Sequence, residues 1–178
     1  MLDTQKSGAE RGAYAESYDS QKGAGSGRAV LRDAFRLAAR AEQFRAGLSL
    51  KLQKKGHGRA DVNSALDTLA EAGILDDSRY ARLWIEGRIK HKAVSPRQLL
   101  ASLYGKGICR AVATAALKET LDSDSELALL RNFMAKSSPE GRGCGNSRER
   151  LRFEGFSAEV LERLDDDCNQ EYGRSGGV

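Results

Sequence analysis

Residues that build disulfide frameworks, metal sites and β-sheets are scarce in this chain of 178 residues. Only three cysteines and two histidines occur, and aromatic residues make up 6% of the sequence. Cys109, Cys144 and Cys168 form no CxxC pair, and His57 and His91 are not spaced to complete a metal site. The sequence therefore gives no basis for a disulfide framework, and we expect neither a metal nor another cofactor.

Long apolar runs are also missing. No segment approaches the roughly 18 consecutive apolar residues that cross a bilayer, and the N-terminal MLDTQKSGAE lacks the apolar core of a signal peptide. The sequence contains no nucleophile–base–acid set, no phosphate-binding loop and no metal-ligand spacing either. We therefore expect a soluble cytoplasmic protein that is not an enzyme and has no membrane partner.

Charge is unevenly distributed along the chain, although the net charge is only +4. Residues 79–118 contain nine Lys or Arg and one Glu, a net charge of +8, whereas residues 119–178 have a net charge of −5. Helices whose charged residues serve only to keep the outer face in water usually carry both signs of charge. That explanation does not account for a segment of forty residues with a single acid. The asymmetry indicates a polyanion or an acidic protein surface as partner.

The abundant residues Ala, Leu, Arg and Glu favour helix over sheet. Residues 1–28 have no apolar period and are predicted to form a disordered N-terminal extension. From residue 29 onward, apolar side chains recur every three or four positions, which is typical of amphipathic helices. The predicted fold class is all-α.

Three segments of the sequence repeat one pattern. LQKKGHGRADVNSAL, LYGKGICRAVATAAL and LRFEGFSAEVLERL each place Leu four residues before a glycine, at Gly56, Gly107 and Gly155. These glycines are 51 and 48 residues apart, a period typical of helical repeat proteins. One pair of amphipathic helices with a glycine turn would align by chance, but three in succession favour a repeat. The predicted architecture is three tandem three-helix repeats, at residues 29–73, 74–121 and 122–168, followed by a flexible tail at 169–178.

The stretch GILDDSRYARLWIEGRIK lies at the centre of this pattern. Asp76 and Asp77 stand where a helix N-terminus leaves amide hydrogens unpaired, so we expect them to cap a helix, with an acidic contact to a partner as the alternative. Tyr80, Ala81 and Trp84 follow at helical spacing and predict a buried face. Stacking of Tyr80 and Trp84 on a base or on a partner is the alternative for the two aromatic residues.

Over about residues 29–168 the sequence resembles the RecX family, the bacterial regulators of the RecA recombinase. LDDSRYARLWIEGRIK is similar to that family's leucine, paired aspartates, aromatic-alanine pair and following arginine. LYGKGICRAV is similar to its second-repeat L-x-x-K-G-I, and LRFEGFSAEVL to its third-repeat L-x-x-x-G-F-S. Gly47, His57-Gly58 and Gly105 depart from the family's pattern, and glycine within a helix predicts a looser first repeat.

The resemblance implies a monomeric, elongated and curved array of repeats that lies in the groove of the RecA filament on single-stranded DNA. There it would contact neighbouring RecA subunits and modulate, mainly by inhibition, their recombinase, ATPase and coprotease activities in recombination, DNA repair and the SOS response. The candidates for contact with the filament are the basic residues of the central segment: Arg79, Arg82, Arg88, Lys90, Lys92, Arg97, Lys106 and Arg110.

Direct binding to DNA, through one three-helix unit used as a helix-turn-helix, is the alternative function. No helix of the sequence clearly carries Arg, Asn or Gln in its first turns for contact with base edges, and the acidic C-terminal third argues against duplex binding. Salt distinguishes the two functions, because pure DNA binding weakens steeply as the salt concentration rises.

Overall fold

The computed structural model describes the backbone of residues 25–137 and 148–174, and within it the side chains of residues 27–136 and 148–166. Residues 1–24, which make up most of the predicted N-terminal extension, lie outside the described residues. The same is true of Cys144, the side chain of Cys168 and the last four residues of the predicted tail.

All regular elements in the described part of the chain are α-helices, and the predicted all-α fold class is confirmed. The helices are α1 (Gly25–Arg40), α2 (Arg45–Lys54), α3 (Arg59–Glu71), α4 (Asp77–His91), α5 (Pro96–Gly105), α6 (Arg110–Thr120), α7 (Ser123–Ser137), α8 (Arg148–Phe153) and α9 (Ala158–Arg174). Helix α1 begins before the apolar period that starts at Ala29. Its first turn carries no large apolar side chain from which a period could be detected.

The described residues up to Tyr80, together with Lys106–Ile108, form one compact unit. Its core lies between α1, α2 and α3. Fully buried side chains from all three helices fill this core: Val30, Leu48, Leu52, Val62, Leu66 and Leu69. Burying one such side chain contributes about 1.5–3 kcal/mol relative to leaving it in water. Packing therefore stabilises α2, whose ten residues are too few for an independent helix.

Ala81–Gly105 and the described residues from Cys109 onward form a second compact unit. Its core takes fully buried side chains from α4, α5, α7 and α9: Ile85, Leu99, Leu103, Leu130 and Val160. The rings of Phe133 and Phe156 extend this core, with centroids 5.6 Å apart. In each unit, the apolar residues that recur at helical spacing are thus the ones that are buried.

Glycines follow the ends of α2, α5 and α8. Gly56, Gly107 and Gly155 each stand two residues after the helix and have φ angles of 89°, 85° and 92°. This left-handed conformation is strained for any residue with a β-carbon. At Gly155 the N–H of Phe156 donates to the carbonyl oxygen of Leu151 at 3.2 Å, and the turn at Gly56 closes in the same way. Both are Schellman turns that satisfy carbonyl groups at the helix end.

His57, which departs from the family's pattern, links the turn after α2 to α1. Its Nε2 atom and Nζ of Lys55 each lie 3.1 Å from Oδ2 of Asp33. The hydrogen bonds of Asp33 with His57 and then Lys55 hold the pKa of the Asp33 carboxyl below its ordinary value. A polar contact therefore connects α1 to the turn at this departure from the family's pattern.

Gly47, a second departure, makes room for an aromatic ring. A β-carbon at this position would lie 2.5 Å from Cζ of Phe44. The ring of Phe44 packs against that of Tyr80, with centroids 4.6 Å apart, and Nζ of Lys106 lies 5.5 Å from its centroid. The glycine thus has a packing role in this unit that its low helix propensity does not indicate.

Candidate partner-binding surface

Asp76 and Asp77 cap two different helices. The Oδ1 atom of Asp76 accepts hydrogen bonds from the N–H groups of Ser78 (2.8 Å) and Arg79 (3.1 Å), at the start of α4. The Oδ1 atom of Asp77 accepts from the N–H of Arg45 (2.7 Å), the first residue of α2. Asp77 therefore departs from the expectation that both acids cap the helix that follows them. Both carboxylates have structural partners within the chain.

Arg79, the first of the eight candidate cations, is bound inside its own unit. Its Nε donates to Oε1 of Glu42 at 2.7 Å. Its terminal nitrogens donate to the carbonyl oxygens of Gly73 (3.1 Å) and Ile74 (2.8 Å), in the turn that follows α3. The Arg79 side chain is only 23% exposed. This geometry assigns Arg79 a structural role in joining α4 to the end of α3.

Arg82 forms an exposed ion pair. Its Nη1 lies 2.9 Å from Oε2 of Glu119, and the two side chains are 39% and 56% exposed. Pairs of this kind contribute little to stability, typically about 0.2–1 kcal/mol. The Arg82 guanidinium can therefore exchange Glu119 for a carboxylate or phosphate of a partner at small cost.

The C-terminal end of α4 presents a cluster of cations. The guanidinium of Arg88 lies over the Trp84 ring, 5.4 Å from its centroid. Lys90 and Lys92 are exposed, and neither has an ion-pair partner within the described part of the chain. Positive charge at this end of a helix is stabilised by the helix dipole. Lys90 and Lys92 are therefore available to an external anion, and together with the half-buried Arg88 we call them the cationic end of α4.

The remaining three candidates each lie over an aromatic ring. The guanidinium of Arg97 is 3.9 Å from the Phe153 centroid, and that of Arg110 is 5.5 Å from the Tyr104 centroid. Lys106 lies over the Phe44 ring described above. Phe153 itself is 66% exposed. Cation–π contacts at exposed sites contribute about 0.5–1 kcal/mol, so these cations are positioned but still accessible.

The eight candidates do not all belong to one compact unit. Arg79 and Lys106 lie in the unit that contains α1 to α3. The other six lie in the unit that contains most of α4 and the helices after it. Tyr80 and Trp84 are half-buried, and Ala81 is fully buried. Tyr80 packs on Phe44 and Trp84 on Arg88, so both aromatic residues have contacts within the chain.

Two residues of α4 that are not among the predicted site residues also belong to its surface. Leu83 is 45% exposed, and a β-carbon at Gly87 would meet no atom within 4 Å. Both lie on the side of the helix opposite Ala81 and Ile85, which are fully buried. A helical projection at 100° per residue would have revealed an apolar residue facing outward.

Metal and membrane sites are not found in the described segments. No cluster of three or more His, Cys, Asp or Glu side chains there is arranged to hold a metal ion. None of the helices in the same segments has the length and apolar character needed to cross a bilayer. The thiol of Cys109 is free and exposed.

The sequence is similar to proteins of one family. The family described as "RecX, second three-helix domain" matches residues 76–117. "Regulatory protein RecX" of Treponema pallidum strain Nichols is 32% identical over 130 residues, covering 73% of this chain and 79% of that protein. The protein of the same name from Pseudomonas fluorescens strain SBW25 is 31% identical over 139 residues, covering 76% and 89%.

Two crystal structures share the fold. That of regulatory protein RecX superimposes with a TM-score of 0.64 at 19% sequence identity, over 93% of this chain and 81% of the other. That of RecX from Lactobacillus salivarius gives a TM-score of 0.63 at 15% identity, over 82% and 97%. At these identities the likeness concerns the fold alone.

Proposed function

Because the chain belongs to the RecX family of regulatory proteins, we propose that it binds the RecA filament on single-stranded DNA and modulates RecA. Inhibition of recombinase, ATPase and coprotease activity is the main effect we expect. In this proposal the protein is a cytoplasmic regulator of recombination, DNA repair and the SOS response, and it catalyses no reaction itself.

The observation that carries the proposal is the cationic end of α4. Arg88, Lys90 and Lys92 lie on one short segment, and none of them forms an ion pair with an acid of the described residues. A RecA filament offers both DNA phosphates and protein carboxylates to such a segment. Electrostatic attraction accelerates encounter and fixes the orientation of a complex. Contacts formed in this way with neighbouring RecA subunits would hinder filament extension and strand exchange.

Inhibition of ATP turnover provides the direct test. RecA is assembled on single-stranded DNA, and its ATPase rate is measured with increasing amounts of the protein. We expect the rate to fall at substoichiometric ratios, because one bound regulator can affect more than one subunit of a filament. An unchanged rate at equimolar protein would contradict the proposal.

The placement of the contact is tested by reversing charge. Arg88→Glu/Lys90→Glu should weaken filament binding at least about tenfold, equivalent to about 1.4 kcal/mol. The control is Arg36→Glu/Arg40→Glu, which makes the same change of charge at exposed positions of α1. Equal weakening by both double variants would indicate a general effect of net charge, and far-UV circular dichroism checks that both remain helical.

Direct binding of single-stranded DNA is a second candidate function, and one observation favours it. Phe153 is 66% exposed while Arg97 covers one face of its ring. An exposed aromatic ring beside a cation is a common contact for unpaired bases, typically contributing about 1–3 kcal/mol per base. If this function is correct, Phe153→Ala should weaken binding to a free labelled oligonucleotide, and that binding should decline steeply with salt.

A further inference from the structure

The outer side of α4 carries a stripe of three residues at helical spacing. Leu83, Gly87 and Lys90 are separated by four and three positions, so they lie on one side of the helix. Ala81 and Ile85, on the opposite side, are fully buried. We call Leu83, Gly87 and Lys90 the outer stripe, and all three are exposed.

Neither the backbone conformation nor the packing of the described residues requires a glycine at position 87. It lies well inside α4, where glycine is among the least favourable residues for a helix. Its φ angle is not positive, and a β-carbon would meet no atom within 4 Å. By contrast, Gly107 and Gly155 have positive φ, and Gly47 makes room for a ring. Gly27 and Gly105 are as open as Gly87 but lie at helix ends, where glycine costs less.

The missing side chain leaves a shallow notch on the helix surface. The residues one turn away from Gly87 are Leu83 and Trp84 on one side and Lys90 and His91 on the other. Leu83 is 45% exposed, and the half-buried Trp84 is in contact with Arg88. The notch is thus bordered by apolar surface at one end and by positive charge at the other.

We infer that the notch at Gly87 is a docking site for an acidic protein surface whose backbone approaches α4 closely. Aromatic side chains and arginine are typical of protein–protein interface centres, and Trp84, one turn from Gly87, lies against Arg88. An exposed Leu gains little from phosphates, so this composition favours a protein over a nucleic acid. The nearby cations call for carboxylates on that protein, since Glu86 is the only acid among residues 79–91.

This inference rests on the proposed function and makes it specific. It assigns the contact of α4 to the protein subunits of the RecA filament and not to its DNA. Leu83 would pack on an apolar spot of the subunit, Lys90 would pair with a carboxylate, and the absence of a side chain at Gly87 would let the two backbones come close.

The test compares stability and binding in one variant. Gly87→Ala should raise the melting temperature by about 2–4 °C, because alanine favours helix over glycine. It should also weaken binding to RecA assembled on single-stranded DNA about tenfold, because the added methyl group occupies the notch. Leu83→Gln, at an exposed position, should weaken binding similarly without loss of helicity. Gly27→Ala on α1 is the control, which should leave binding unchanged.

Each outcome separates the inference from the function on which it rests. Equal binding by wild type and Gly87→Ala would overturn the docking site while leaving the proposed function intact. Absence of binding by the wild type would overturn both. If Gly87→Ala and Leu83→Gln weaken binding to free single-stranded DNA as much as to the filament, the occupant is nucleic acid and the inference is wrong.

Discussion

Gly107 faces Ala46 so closely that a β-carbon on the glycine would lie 3.0 Å from Cβ of the alanine. Gly155 has the same relation to Arg97, whose backbone nitrogen would lie 3.3 Å from such a β-carbon. Each glycine follows a helix, and each partner is the second residue of the preceding repeat's middle helix, α2 or α5. One contact therefore recurs along the chain, and it requires glycine both for its φ angle and for the close approach.

Alanine at Gly107 should therefore destabilise the protein more than alanine at Gly56. Both glycines have a positive φ, which costs about 1–2 kcal/mol for a residue with a β-carbon. Gly56 has open space around it, whereas Gly107 faces Ala46, so Gly107→Ala should cost about 1 kcal/mol more. Urea unfolding followed by circular dichroism measures both variants. Equal losses would mean that the contact with Ala46 relaxes freely.

Removing the carboxylate of Asp77 should loosen α2 and not only α4. Asp77 accepts a hydrogen bond from the Arg45 N–H at 2.7 Å, and losing such a cap costs about 1 kcal/mol. In Asp77→Ala we expect faster amide hydrogen exchange in the first turn of α2. Asp76→Ala serves as the matched variant, and there the first turn of α4 should exchange faster. Asp77→Asn keeps an acceptor and should lose less stability than Asp77→Ala.

The contribution of Asp33 to stability should disappear in acid. Its hydrogen bonds with His57 and Lys55 lower the pKa of its carboxyl below the ordinary 3.8. A carboxyl whose pKa is lowered by folding stabilises the native state above the unfolded pKa, and the effect is lost as pH falls through the folded pKa. Asp33→Asn should therefore cost about 1 kcal/mol at pH 7. Urea unfolding should give a smaller difference from wild type below about pH 4. A difference that stays constant down to pH 2 would contradict this account.

The sequence was sufficient for the helices because their signals are local. Pro96 begins α5 directly after Ser95, whose Oγ accepts a hydrogen bond from the N–H of Gln98. The glycines with positive φ follow the ends of helices, where the turn needs a left-handed residue. Caps formed by residues distant in sequence were not predictable. Ser123 and Glu126 have the S-x-x-E spacing of a capping box. In the structure, however, Asp122 caps α7, and Glu126 accepts a hydrogen bond from the N–H of Ser157 at the start of α9.

The candidate surface was less predictable than the fold because charge in the sequence does not reveal which cations are bound internally. Arg79 and Arg88 carry the same charge on the same helix, yet Arg79 binds Glu42 and two carbonyl groups while Arg88 lies on Trp84. Distinguishing them requires the position of Gly73 and Ile74 in three dimensions. Leu83 and Gly87 were missed for a different reason, since neither residue type indicates binding on its own.

Arg79→Ala and Arg82→Ala remove the same charge one turn apart but should differ in effect. Loss of Arg79 leaves two carbonyl oxygens of the turn after α3 without their donor and removes the ion pair with Glu42, at a cost of about 2 kcal/mol. Loss of Arg82 breaks only the exposed pair with Glu119 and should cost about 0.5 kcal/mol or less. Chemical denaturation gives both values. Arg79 acts within the fold, so filament binding by fully folded Arg79→Ala should stay within about twofold of wild type. A twofold change in the dissociation constant corresponds to a binding free energy difference of less than about 0.5 kcal/mol. A tenfold loss of binding by folded Arg79→Ala would instead place this arginine in contact with the partner.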